Sequence, residues 1–124
     1  MSRLRVLSRE DMLRPRERTR EFVPIPEWGG DGAGVYVYVM TGTERDAYEV
    51  GVVSAGGDTA TRMKNMRARL LIHCVMDEAG RPIFTADDVD QLGAQEFPIL
   101  DRLVTVAQRL NRMSPAEMEK TKGN

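Results

Sequence analysis

Between Val35 and Met40 the side chains alternate without interruption, with valines at 35, 37 and 39 and Tyr36, Tyr38 and Met40 between them. A period of two places each set on its own face of a strand. Upstream, REFVPIPEWGG contains Pro24 and Pro26, which cannot donate ladder hydrogen bonds and so confine the segment to an edge strand or an extended arm. The intervening GGDGAG tolerates positive φ, so residues 21–40 are predicted to form a β-hairpin, with Trp28 before the turn as its packing anchor.

Downstream the apolar spacing lengthens to three and four. Thr43, Glu44, Arg45 and Asp46 form a Thr-x-x-acid start, which predicts a helix from Thr43 to Val53 with Ala47, Tyr48, Val50 and Val53 available to pack. After SAGGD, Asp58 or Thr59 caps a longer predicted helix to Met76, with Met63, Met66, Leu70 and Cys74 along one face. Residues 77–80 make a turn and 81–84 extend. Thr85 and Asp88 then cap a short helix that closes at Gly93. Pro98 suits a first helical turn, and Phe97, Leu100, Leu103, Val104, Ala107 and Leu110 form the stripe of the next helix. Ser114, Pro115 and Glu117 have the pattern of N-cap, N1 and N3 of a terminal helix, and Ser8 with Asp11 caps a brief one ahead of Pro15. The predicted fold class is α+β, an N-terminal β-hairpin followed by a mainly helical body.

The 124 residues suit one domain, and 41% hydrophobic with 30% charged residues describes a folded chain with a polar surface. No apolar run approaches the ~20 residues of a membrane span, and no apolar segment follows the basic start as in a signal peptide. The expectation is a protein that stays where it is made. Its single cysteine, Cys74, has no partner for an internal disulfide. Charge is uneven: seven arginines against three acids in residues 1–20 give +4, and the whole chain carries −1, so the remainder carries −5. This divides the chain into an Arg-rich arm, 1–20, read as a flexible solvated terminus, and a single domain, 21–124. The arm also admits a second reading, a small nucleic-acid-binding regulator that neutralises phosphates. Against it stand the arm's own acids, the lack of an aromatic before Phe22, and the lack of a following nucleic-acid motif.

Catalytic constellations are sparse. His73 and Cys74 are the only residues of their kinds, and neighbours on a helix point about 100° apart, which does not suit a thiolate–imidazole pair. A small hydrolase would need more than this dipeptide. Asp87, Asp88 and Asp90 fit the first turn of a capped helix better than a cation site. Gly29, Gly30, Gly32 and Gly34 lack the Lys-Ser/Thr of a phosphate loop and precede a strand. Neither a catalytic set, a metal site nor a cofactor is expected. Methionine, eight of 124 residues, is the remaining unusual component, and its adaptable side chain suits variable apolar partners. Met63, Met66, Met113 and Met118 are therefore candidate partner-binding residues wherever they are exposed.

From Pro26 to Asn124 the order of pieces resembles the small tail assembly chaperones of long-tailed bacteriophages and related prophages. EWGG precedes a strand and MTGTERDAYE follows it; then come RARLLIHCVMDEAGRPIF, TADDVDQLG and LDRLVTVAQRLNRMSPAEMEK, with a terminal Asn. Each piece has a plain structural explanation, so the order carries the resemblance. The long Arg-rich arm and the extra hairpin glycines depart from the pattern. The resemblance implies a non-enzymatic chaperone that coats the tape measure protein, keeps it soluble and gives way to tail tube subunits, which it helps to recruit. It also implies action in the cytoplasm of the bacterial host and absence from the mature virion. Relatives are often made in a longer frameshifted form as well; this sequence would be the short one. Self-association is left open.

Overall fold

The computed structural model describes residues 3–113. The expected terminal helix at Ser114 and the candidate Met118 lie outside them. A short helix α1 (Arg9–Leu13) precedes a hairpin of β1 (Arg20–Pro24) and β2 (Gly34–Tyr38), whose connection holds a one-turn helix α2 (Pro26–Gly29). Then follow α3 (Gly42–Ser54), α4 (Thr59–Met63), α5 (Met66–Leu71), a two-residue strand β3 (Val75–Met76), a 3₁₀ turn (Ala86–Asp88), α6 (Val89–Gly93) and α7 (Phe97–Leu110). The class is α+β as expected, with a third strand added. The order β1-β2-β3 is antiparallel throughout, with Phe22 opposite Tyr36, Glu21 opposite Val37, and Tyr36 opposite Met76.

Several expected elements take a different form. The 59–76 stretch is not one helix, because Asn65 adopts the left-handed conformation (φ 58°) between α4 and α5. Asn tolerates that region better than most residues. Its side-chain amide also donates to Asp90 at 2.7 Å, and Gly93 on α6 leaves room for it, since a Cβ there would meet the Asn65 carboxamide carbon at 2.8 Å. Asp90 is thus a tertiary acceptor, while Asp88 completes the capping box by accepting from the Thr85 amide at 2.8 Å. The end of the stretch becomes β3 by pairing with β2, assisted by the Tyr38 amide donating to the Cys74 carbonyl at 2.8 Å.

Helix α3 starts earlier than expected. Its N-cap is Thr41, not Thr43, and the Glu44 carboxylate closes the box on the Thr41 amide at 2.9 Å. Both triplets satisfy the local rule. Arg18, which donates to Glu44 at 2.6 Å and to the Val39 carbonyl at 2.7 Å, favours the earlier one. The buried side chains are then Tyr48 and Val52, one helical turn apart, while Ala47, Val50 and Val53 face outward.

The core lies between the inner face of the sheet and the helices. Val23 and Val37 face α7, whose Ile99, Leu100, Leu103, Val104 and Ala107 are buried, and α5 packs against α3, α6 and α7 with Met66, Ala68, Leu70 and Leu71. Burial of such side chains, at ~25 cal/mol per Å² of apolar surface, is the main force holding the layers together. Phe97 leaves the expected stripe: it is 56% exposed, with the Arg67 guanidinium 4.8 Å from its ring centre. Two carboxylates clamp α7 to the hairpin, Glu27 accepting from Arg102 at 2.6 and 2.9 Å and Glu21 from Arg109 at 2.7 and 2.9 Å. On the outer face Phe22 meets Tyr36 edge-on at 5.4 Å, and Arg20 lies 3.9 Å above Tyr36 while donating to the Tyr38 hydroxyl at 2.9 Å.

Candidate partner-binding site

Among the described residues, the candidate methionines Met63, Met66 and Met113 do not form one exposed surface. Met66 and Met113 are buried in the core at 4% and 5% exposure, so the condition attached to them as partner-binding candidates is not met. Helix α5 turns Met66 inward, where the Tyr48 hydroxyl points to its sulfur at 3.8 Å. Met63, at the end of α4, is 39% exposed and stays accessible.

Exposed apolar side chains also meet at the end of the hairpin. Trp28, held on α2 at the end of the hairpin, is 41% exposed, and the extended segment after β3 brings Ile83 and Phe84 near it. Beneath them lies a cavity of about 140 Å³ whose walls, which include Val35, Leu71, Leu92 and Leu103, are entirely apolar. Beside it, sharing Trp28, Phe84 and Leu92, opens a cleft of about 360 Å³ rimmed by Asp88, Gln91 and Gln95. Trp28 thus forms a wall of a cleft as well as the end of the hairpin. The only trace of this in the sequence is the apolar Pro-Ile-Phe run, which reads equally well as a core strand.

A second concavity, about 770 Å³, runs between α3 and the segment 82–90. Ala47, Gly51 and Ala55 form one wall, Ile72, His73 and Phe84 lie in its lining, and Glu44, Arg69, Asp87 and Asp90 bring charge to it. Burial lowers the His73 pKa, favouring the neutral ring, and pushes the Cys74 thiol up to about 12. The His73 ring packs edge-on to Tyr48 at 6.5 Å, whereas Cys74 points into the core and receives the Asn111 amide at 3.8 Å. The two side chains have separate surroundings, in the turn between α5 and β3.

The arm has more structure than its charge implies. Ser8 and Asp11 form the expected capping box. Arg5 and Arg14 pair with Asp11, whose carboxyl is held below its usual range chiefly by the Ser8 amide, and Arg16 donates to backbone carbonyls. Arg18 and Arg20 engage the body of the fold. Leu4, Val6, Leu7, Met12 and Leu13 are all exposed, at 48% or more, and no residue of α1 is buried.

Over residues 8–121 the sequence matches the family of phage tail assembly chaperones. The chain belongs to that family. The matched span starts at the α1 cap, so the family pattern reaches well into the arm, which the resemblance from Pro26 onward had left out. The fold of this tail assembly chaperone is similar to the solved structure of the bacteriophage HK97 tail assembly chaperone, with a TM-score of 0.56 and 22% identity over 80% of this chain and 86% of that one. No curated protein matches the chain. Among the described residues of this family member, no helix is long and apolar enough to cross a membrane.

Proposed function

We propose that this tail assembly chaperone binds the tape measure protein of its phage, covers the apolar faces of its helical segments and keeps it soluble until tail tube subunits, which it helps to recruit, assemble around it. The work needs no catalytic residue. It takes place in the cytoplasm of the bacterial host, and the protein is absent from the finished virion.

The observation that best supports this reading is the apolar cavity walled by Trp28, Ile83 and Phe84, which lies beside an open cleft with Gln91 and Gln95 at its rim. A large apolar side chain from a helical partner has the size to fill such a cavity, and the rim amides offer hydrogen bonds to its flanking polar groups. With ~25 cal/mol gained per Å² of apolar surface covered, one such anchor binds weakly, and many copies along one long partner bind firmly together. Weak single contacts suit a coat that must later be displaced.

Co-expression with the cognate tape measure protein tests the reading. Its soluble yield should rise with the wild-type chaperone, and Trp28→Asp or Ile83→Asp, both at exposed positions, should remove the gain while circular dichroism stays unchanged. A soluble yield that is the same with and without the chaperone overturns it.

A further inference from the structure

The cavity beneath Trp28, Ile83 and Phe84 ends against Leu71, Val75 and Leu103, core side chains that are each exposed by 3% or less. On its other side it adjoins the open cleft, with which it shares Trp28, Phe84 and Leu92. A side chain arriving through the cleft therefore enters tip first, towards the core. At about 140 Å³ the space is close to the ~150 Å³ of apolar cavities that stay dry and take up benzene. Its wall is entirely apolar, so a water or a hydroxyl inside it would lose its hydrogen bonds. Trp28 and Phe84 are aromatic and flank the entrance, and a third ring between them gains edge or offset contacts beyond the area it covers.

We propose that this cavity is the seat of one phenyl ring, the side chain of a phenylalanine that the tape measure protein carries on a helix. The ring enters between Trp28 and Phe84, its tip reaches Leu71, Val75 and Leu103, and the partner's backbone stays in the cleft beside Gln91 and Gln95. Tyrosine is excluded by the same geometry, because its hydroxyl sits at the tip of the ring and would be driven into the apolar end without a hydrogen-bond partner. Leucine lacks the ring contacts, and methionine loses more rotamer freedom on being fixed. The identity of the partner rests on the function proposed above, whereas the fit of a phenyl ring to the cavity does not.

Titration of the full chain alone with benzene and with phenol, followed by methyl NMR, is the first measurement. Benzene should shift the methyls of Leu71, Val75 and Leu103 saturably, and phenol should bind more weakly by about tenfold or more. Leu92→Phe and Val35→Phe each place a ring of the chain's own in the cavity and should remove benzene binding, with circular dichroism checking that they fold. The second measurement is co-expression: the filled variants should lose the gain in soluble tape measure protein that the wild type gives, and a tape measure protein with leucine in place of its helical phenylalanines should lose it with the wild type. If benzene causes no saturable shift, or phenol binds equally well, the proposal is overturned, and a gain that persists leaves the tape measure reading standing. Benzene binding together with a gain that the folded, filled variants retain overturns it as well. If benzene binds but the wild type gives no gain, the tape measure reading fails and takes with it the partner named here.

Discussion

Asn111, at the end of α7, accepts the backbone N–H of Met40 on its Oδ1 at 2.7 Å, joining two positions far apart in sequence. Its amide nitrogen donates to the Tyr38 carbonyl at 3.3 Å and the Ala107 carbonyl at 2.9 Å, so one side chain closes the helix and the exit of β2 together. Met40 is 8% exposed, and its N–H would otherwise be left largely out of reach of water. Asn111→Ala is therefore expected to destabilise the fold by ~1–3 kcal/mol, the penalty for an unsatisfied buried group. Urea denaturation measures it, and a midpoint equal to wild type would show that water replaces the contact.

Glu27 gives an acid-side test. Its hydrogen bonds to Arg102 hold its pKa down to about 2, from an ordinary 4.5. Between those values the unfolded chain binds the extra proton, so the contribution is present above about pH 4.5 and lost as pH falls towards 2. Thermal melts of wild type and Glu27→Gln should differ at neutral pH and converge as pH approaches 2. A constant difference across that range would mean the charge on Glu27 is not what matters.

Cys74 is fully buried, and its thiol is pushed up to about 12 by loss of hydration. At pH 8 almost no thiolate is present to react. Ellman's reagent should leave the native protein unlabelled and label one thiol per chain in denaturant. Cys74→Ala together with His73→Gln should cost roughly 1 kcal/mol and preserve tape measure solubilisation. Loss of solubilisation in a folded double variant would give the dipeptide a functional role.

Where the arm ends is also testable. Removing residues 3–14 takes away no buried side chain, whereas extending the deletion to residue 20 also removes the Arg18 bonds to Glu44 and Val39 and the Arg20 contacts with Tyr36 and Tyr38. The shorter deletion should keep the wild-type melting temperature within a degree or so, and the longer one should lower it by several degrees, in line with ~1 kcal/mol shifting a domain of this size by about 4–8 °C. Equal melting temperatures for both deletions would place the boundary at residue 20.

The features legible from sequence are those set by patterns over a few neighbouring residues. The Ser8–Asp11 and Thr85–Asp88 boxes, the paired strands of the hairpin and most of the α7 stripe follow from caps, alternation and helical spacing, all local. The choice between Thr41 and Thr43 already went beyond that range, since two local signals competed and Arg18 decided.

Tertiary structure settled everything that depends on what arrives from elsewhere in the chain. Val75 and Met76 form a strand because β2 offers them an edge, Asn65 breaks a helix where Asp90 and Gly93 receive it, and Met66 and Met113 are buried because α5 and the end of α7 turn them inward. The cleft at Trp28 and Phe84 is the clearest case. Periodicity tells which residues avoid water but not which of them find enough neighbours to do so, and a cavity is a shortage of neighbours that only the packed chain defines.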